Sequence, residues 1–427
     1  MAVMEYALWR PRCDCYAFYG KHIKTINTLR SHKRSRQQKK TEKIIHHEII
    51  SKAAKVNYWL NYCVPDKGGQ ILRLAVSLSA LYGIPIEINN IRAGRSTPGL
   101  ARQHLKGIEL VKDMCNAEVS GAYLGSTHLK FYPRSLHRYA TEFEADLPTN
   151  GSICLLAQIA LPCVLFLPQK SDILLILKGG TNVTMAPHIE YLTEVIRPIL
   201  NKFGADFDFI ILKRGYYPDG VGTVHLRITP IRNLNAVNIT DLGILREISG
   251  WAYVTGYISI HEAEKIAIDA KTFLNFKLTK NNVEVPPINI ESSKEHRQTY
   301  GSGINIVCST TTGCIFGGSG MTLKIRHMVK PGIFAANEVL EPFLNGACVD
   351  YYAQDQIIIF MALAKGISRV KIGNKITSHT KTAMKIAEIM LGNRGLRFHL
   401  LESGRVGNSP SYILECEGCG LINNFTE

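Results

Sequence analysis

One pattern recurs three times along the chain and restricts its architecture more than any other feature. It is an apolar run of helical length closed by Gly or Pro, then a strand rich in Ile, Val or Leu, then a turn. The first copy is GGQILRLAVSLSALYG (Gly68 to Gly83), followed by IPIEINNI and a turn from Arg92 to Arg95. The second is GSICLLAQIALP (Gly151 to Pro162), followed by CVLFL, ILLIL and a turn from Lys178 to Thr181. The third is DQIIIFMALAKG (Asp355 to Gly366), followed by SRVKI and a turn at Gly373-Asn374. The spacing is too irregular for a solenoid, so the units are expected to pack about a common core rather than stack in a line.

The stretch from Val237 to Val329 reads differently. A helical pattern from Glu262 to Phe276 is followed by Pro286-Pro287, a polar stretch and two short strands, INIVCS and TGCIFGG. The expected fold class is therefore α/β: a large domain of three repeated α/β units around a common core, with a smaller inserted α/β domain. The large domain is placed at residues 61–236 and 330–427, the insert at 237–329, and a basic N-terminal extension, disordered or partly helical, at 1–60. A length of 427 residues suits this division.

With 46% hydrophobic and 20% charged residues the composition is that of a folded globular protein, which excludes collagenous, coiled-coil and wholly disordered classes. The most apolar stretch, Ile153 to Pro168, contains Gln158 and Pro162 and falls short of the ~20 apolar residues of a membrane helix. No membrane is expected as a partner, and no secretory leader is read at the start. The 11 Cys are an odd number scattered through apolar runs, which argues against a disulfide framework and for a reducing compartment. Cys416 and Cys419 form a CxxC, but the CxC of Cys13 and Cys15 lies at the far end of the chain, a poor basis for a zinc site.

The formal charge is +15, and residues 1–60 hold 13 Lys/Arg against 4 Asp/Glu, a net +9. The run RSHKRSRQQKKTEK, Arg30 to Lys43, suits nuclear targeting or sequence-independent contact with phosphates, and equally a solvated arm. Nuclear localisation is the expectation drawn from it; cytoplasmic placement is the alternative, and a mitochondrial leader ranks last. In the body, Arg73, Arg92, Arg95 and Arg102 lie within thirty residues, three of them near Gly- or Pro-containing turns from which a guanidinium can grip a phosphate with two bonds.

Familiar nucleotide motifs are missing: there is no GxxxxGK[ST], no GxGxxG after a strand, no HExxH and no KxDG. Instead three Gly-rich turns close strands, IRAGRSTPGLARQHL (Ile91 to Leu105), LKGGTNVTMAP (Leu177 to Pro187) and KRGYYPDGVGTV (Lys213 to Val224). Small residues let backbone N–H groups approach an anion, and each turn adds Arg, Lys, Thr or Asn donors. Ligands of α/β sheets bind at such strand ends.

IRAGRSTPGL, LKGGTN, RGYYP and VDYYAQDQIIIFMALA with SHTKTA downstream resemble, in order and spacing, the RNA 3'-terminal phosphate cyclases of eukaryotic type; the likeness covers about residues 66–427 and leaves out the basic extension. The resemblance implies an ATP-dependent enzyme acting on RNA with a 3'-terminal phosphate. A histidine would attack the α-phosphorus of ATP, the AMP would pass to the RNA phosphate, and the adjacent 2'-hydroxyl would displace it, closing a 2',3'-cyclic phosphate. By SHTKTA the nucleophile is His379. The local pattern agrees, with Ser378 read as an N-cap and Ala383, Ile386, Ala387 and Met390 as one helix face. That places His379 at a helix start, where N–H groups favour a phosphate.

The resemblance further assigns phosphate contacts to Arg73, Arg92 and Arg95, and a polar lining to Gln103 and Gln158. Pro187 and Tyr352 would sandwich the adenine, with Asp355 and Gln356 at the ATP end. Mg²⁺ or another divalent ion is implied, with Asp66 beside it. Two departures stand out: the family usually reads Glu-Gly before Gly-Gly-Gln where this chain has Asp66-Lys67, and it tends to have Gly at Val221. They keep open an alternative, a catalytically inactive cyclase-like RNA-binding factor of ribosome biogenesis. A third class, a phosphate-transferring enzyme of small metabolites, is disfavoured by the joint presence of the His379 and Tyr352 motifs.

Overall fold

The computed structural model describes residues 58–61, 68–218, 220–295, 300–322 and 330–423. The basic extension and the pair Asp66-Lys67 lie outside the described residues. The first unit runs β1 (Tyr58–Asn61), α1 (Gly68–Tyr82), β2 (Ile86–Asn89), α2 (Arg102–Cys115), β3 (Glu118–Ser120) and β4 (Leu129–Tyr132). The second runs β5 (Glu142–Asp146), α3 (Ile153–Val164), β6 (Ile173–Gly179), α4, β7 (Asp206–Lys213) and β8 (Gly222–Thr229). Its α4 is one helix in three pieces, Ile189–Tyr191, a π-wound Leu192–Ile196 and Arg197–Lys202.

The third unit opens with β9 (Asn238–Ile239) and is interrupted by β10 (Leu245–Thr255), α5 (Ile260–Lys280), β11 (Ile288–Glu295), β12 (Ser302–Thr310), β13 (Ile315–Met321) and α6 (Pro331–Leu344). It resumes with the short α7 (Ala353–Gln356) and α8 (Ile358–Leu363), then β14 (Lys365–Gly373), α9 (Ser378–Leu391), β15 (Arg397–Val406) and β16 (Ser409–Cys419).

Among the described residues the strands form four sheets, and three of them share one order: β1-β2-β4-β3, β5-β6-β8-β7 and β9-β14-β16-β15. In each, the first two strands pair in parallel across a helical crossover and the last two add as an antiparallel hairpin. The repeat legible in the sequence is thus a βαβαββ unit, built three times.

The units meet on α1. Its sequence is apolar on every side, and from Ile71 to Tyr82 all its residues except Arg73 are buried. A helix without a polar face must be surrounded, and α1 packs against α2, α3 and α9, so helices of all three units share one core. Ser77 on α1 is fully buried and donates its hydroxyl to the Ile159 carbonyl of α3 at 2.7 Å, satisfying a polar group at the seam.

Two sequence expectations need correction. CVLFL is not a strand: Val164 ends α3, and the Leu165 N–H bonds back to the Leu161 carbonyl at 2.9 Å. Cys163 to Leu167 are buried on all sides, and a continuous apolar run carries no period that separates strand from helix end. The expected limit of the insert at 329 falls one helix short of the observed packing, because α6 lies on β12, β13 and α5.

The insert's sheet has the order β11-β10-β12-β13, with α5 and α6 packed against it and against each other. Glycines in β13 let α6 lie close: a Cβ on Gly318 would stand 2.2 Å from the Ala335 carbonyl oxygen, and one on Gly320 2.3 Å from that of Pro331. Gly318→Ala should therefore push α6 off the sheet and cost about 1–3 kcal/mol, read as a fall in the thermal midpoint. An unchanged midpoint would contradict this contact.

Candidate active site

The first turn of α9 is held from three directions. Thr377, not Ser378, is the N-cap: its Oγ1 accepts the Thr380 N–H at 3.1 Å, while Ser378 lies in the first turn and its carbonyl accepts the Thr382 hydroxyl at 2.9 Å. Two adjacent hydroxyl residues both suit a cap, and sequence alone gives no way to choose between them. Fully buried Gln354 joins this turn to the end of β14. Its Oε1 accepts from the Thr377 N–H at 3.2 Å and the Thr380 hydroxyl at 3.3 Å, and its Nε2 donates to the carbonyls of Lys375 at 3.1 Å and Ile372 at 3.4 Å. His379 is the second residue of this anchored helix and is exposed. α9 packs against α1 and α7, the helices that carry Arg73 and Asp355.

A cleft between α1, α2 and α3 is lined by Leu72, Arg73, Gln103, His104, Gly107, Leu155 and Ile159. Arg73 donates from Nη2 to Gln70 Oε1 at 2.8 Å. Arg73 Nη1 and His104 Nε2 both lie over Gly69, 2.7 and 2.9 Å from where a Cβ would stand. His104 Nδ1 accepts the Ala101 N–H at 3.2 Å, which puts the ring proton of a neutral imidazole on Nε2. Burial lowers its pKa to about 3, with Arg73 and Arg92 adding to the effect. The two arginines therefore act on one spot.

Arg92 is held at φ 51° and donates from Nη1 to the Gly99 carbonyl at 2.8 Å, closing the RAGRSTPG loop on itself. Gly99, at φ +82°, lets the loop press on the neighbouring backbone: a Cβ there would lie 2.0 Å from the Gly125 carbonyl oxygen. Arg95 is exposed on the same loop, its N–H bonded to the Arg92 carbonyl at 3.1 Å. Gln103 reaches the N-cap of α3, its Oε1 accepting the Ser152 N–H at 3.4 Å.

Asp355 ties the first unit to the third. Burial raises its carboxyl to about 7, against the opposing pull of Arg73, with nearby Asp350 raising it further. Asp350, fully buried, caps α7 by accepting the N–H groups of Tyr352 and Ala353, both at 2.9 Å; it also accepts the Tyr191 hydroxyl at 2.5 Å and the Gly317 N–H at 2.9 Å. Tyr352 stands edge-on to Tyr191 of α4, ring centres 5.9 Å apart, and donates its hydroxyl to Glu338 of α6 at 2.6 Å. Burial lifts Glu338 to about 7. Pro187 is half-buried and stands two residues before α4, the helix that carries Tyr191.

The structure thus gathers Arg73, Arg92, Gln103 and Asp355, with His379 on a helix packed against both sides. Gln356 turns back to its own helix, donating to the Tyr352 carbonyl at 3.0 Å. Gln158 is half-buried on α3, between the cleft residues Leu155 and Ile159 in sequence. Val221 stands between Gly220 and Gly222, where the loop leaves no room for a side chain: a Cβ on Gly220 would stand 2.4 Å from the Tyr216 N, and one on Gly222 2.6 Å from the Gly215 N. Asp66 lies outside the described residues, and among those described no group of three or more His, Cys, Asp or Glu could hold a metal ion.

Four residues here were not singled out from sequence: His104, Glu338, Asp350 and Gln354. Only His104 left a signal, a polar residue at the third position of a helix, reaching back to its start.

A model of the RNA 3'-terminal phosphate cyclase family matches residues 64–395. A Drosophila melanogaster protein named RNA 3'-terminal phosphate cyclase is 36% identical over 361 residues, covering 84% of this chain and 96% of that one. A Dictyostelium discoideum protein named as a probable member is 35% identical, covering 85% and 83% of the two chains. An archaeal protein with the cyclase name, from Pyrobaculum aerophilum, is 36% identical, covering 83% and 96%. The matched span takes in every site residue placed above, from Arg73 to His379, and the chain belongs to the RNA 3'-terminal phosphate cyclase family.

Proposed function

We propose that this protein converts an RNA 3'-terminal phosphate to a 2',3'-cyclic phosphate at the expense of ATP, with His379 as nucleophile. The observation that carries the reading is the position of His379 in the first turn of a capped helix, packed against α1 with its Arg73. In the sequence of steps implied by the family, His379 takes AMP from ATP with loss of pyrophosphate, the RNA 3'-phosphate takes AMP from His379, and the 2'-hydroxyl displaces AMP. Each step moves negative charge at phosphorus, which this chain meets with fixed donors.

Arg73 and Arg92 supply forked donors and positive charge near one point, where the half-buried, neutral His104 adds an Nε2–H without adding charge. The N–H groups of the first turn of α9 favour a phosphate beside His379. Gln354 fixes that turn, so that the ring need not be ordered when substrate arrives. Tyr352 offers a half-exposed aromatic face suited to stacking on a base. A divalent ion would neutralise the leaving pyrophosphate. Asp66, which the resemblance puts beside that ion, lies outside the described residues. Nuclear placement is proposed from the run Arg30 to Lys43 together with the family resemblance.

The direct test is an RNA oligonucleotide with a 3'-phosphate, incubated with ATP and Mg²⁺ and scored for a phosphatase-resistant end. Wild type should cyclise it, and His379→Ala should lose at least about a thousand-fold in rate while holding RNA within about two-fold. Tight RNA binding by wild type without cyclisation would favour the non-catalytic RNA-binding reading instead.

Gln354→Leu leaves the Thr377 N–H and two carbonyls without their partner. It should lower kcat by about ten- to a hundred-fold with little change in the KM for ATP. A rise in KM alone would place Gln354 in substrate binding.

Asp355 is neutral below about pH 7 and ionised above it, because its carboxyl is raised by burial. Ionisation puts a negative charge where phosphates are to bind, so the KM for ATP should rise roughly five-fold as pH passes through 7, from ~1 kcal/mol of added repulsion. Glu338 titrates in the same range, so the control is Asp355→Asn, in which the rise should flatten. A rise that persists unchanged would assign it to another group.

A further inference from the structure

The insert joins the third unit by two connections, and a pair of thiols sits between them. The outgoing connection, after β9, carries Asp241, whose carbonyl accepts the Thr312 hydroxyl at 2.8 Å and the Cys314 thiol at 3.2 Å. The returning connection carries Cys348, whose N–H bonds to the Lys371 carbonyl of β14 at 2.8 Å, and Val349, which pairs in parallel with Ile315 of β13. The register of that bridge makes the preceding residues, Cys314 and Cys348, neighbours on one side of the two chains. Adjacent strands stand ~4.8 Å apart, within the Cα separation of ~4.4–6.8 Å that a disulfide spans. Both residues are buried.

We propose that Cys314 and Cys348 form a peroxide-sensitive thiol pair that closes to a reversible disulfide, tying β13 of the insert to the segment that leads into Tyr352.

Cys314 is unlike Cys348 and unlike the other described cysteines whose shifts are resolved. Cys314 is lowered to about 6 by the Cys348 thiol, with the Thr312 and Thr310 hydroxyls and Lys202 helping, whereas Cys348 is raised by Cys314. Burial pushes Cys115 up to about 12 and raises Cys154, Cys163, Cys308 and Cys416 as well. Cys314 is thus the thiol that gives up its proton more readily to become the nucleophile, and Cys348 stands beside it to resolve the product. Cys314 follows directly on the turn Thr311–Gly313, whose two threonines are exposed, so a molecule as small as hydrogen peroxide has a short approach.

The chemistry closes with peroxide as oxidant. The Cys314 thiolate attacks one peroxide oxygen, the O–O bond breaks, hydroxide leaves and takes a proton, and Cys314 becomes the sulfenic acid. Cys348 then loses its proton and attacks the Cys314 sulfur; the S–O bond breaks and a second water leaves. Two thiols and one peroxide give one disulfide and two waters. The bond would fasten the Cys348–Tyr352 segment to a strand it already meets through the Gly317 N–H and Asp350.

The test uses the full reduced chain, treated briefly with hydrogen peroxide, blocked with iodoacetamide and mapped by peptide mass spectrometry. The expected result is a peptide pair linked through Cys314 and Cys348 that separates on treatment with dithiothreitol. Cys314 should be consumed at least about ten-fold faster than Cys163. In Cys348→Ser the sulfenic acid has no resolving partner and should be trapped at Cys314 by dimedone. Cys314 alkylated as fully after peroxide as before, or linked to a different cysteine, would overturn the proposal. The wild-type map alone decides it should the variant not fold.

Discussion

The one charge on an otherwise apolar central helix organises this molecule. α1 is buried on every face because helices of three units surround it, and Arg73 is its one charged residue. A guanidinium in that position has to be met by polar groups from the helices around it. Gln70 gives it an oxygen, and Asp355 of the third unit offsets its charge in part. Arg92 adds a second positive charge nearby, and the half-buried His104, on which both arginines act, stays neutral. Against these two arginines the one carboxyl acting on Arg73 is itself raised to about 7, which leaves a positive excess, and a phosphate is the natural complement.

The repeat explains where the chemistry sits. Each βαβαββ unit turns its helices toward the core, which brings the start of α9 next to α1 and α7. The capping threonine and Gln354 then decide how His379 is presented. Gln354 makes four hydrogen bonds from a fully buried position, a costly group to leave unpaired and so a rigid one when paired. The insert reaches the same place through α6, where Glu338 receives the Tyr352 hydroxyl. A change in the insert's position is therefore felt at Tyr352.

Much of this was legible in the sequence. Strong period and punctuation marked the three units, the helix of the insert and its paired strands, because those features are local. Short motif segments marked Arg73, Arg92, Tyr352, Asp355 and His379 through resemblance rather than physics. What stayed hidden depends on tertiary packing. CVLFL is uniformly buried and has no period to read, and the helix Pro331–Leu344 looks the same in sequence whichever domain it packs on. His104 and Gln354 owe their roles to burial and to partners distant in sequence. The Cys314–Cys348 pair arises from a β-bridge between segments thirty-four positions apart.

The account stands or falls on His379 as the atom-bearing nucleophile of an anchored helix. The most direct measurement is to incubate the purified chain with ATP labelled at the α-phosphate and Mg²⁺, digest it, and locate the label by peptide. The prediction is an acid-labile AMP on the peptide that contains His379. Label on any other residue, or none on protein shown to be folded, would contradict it.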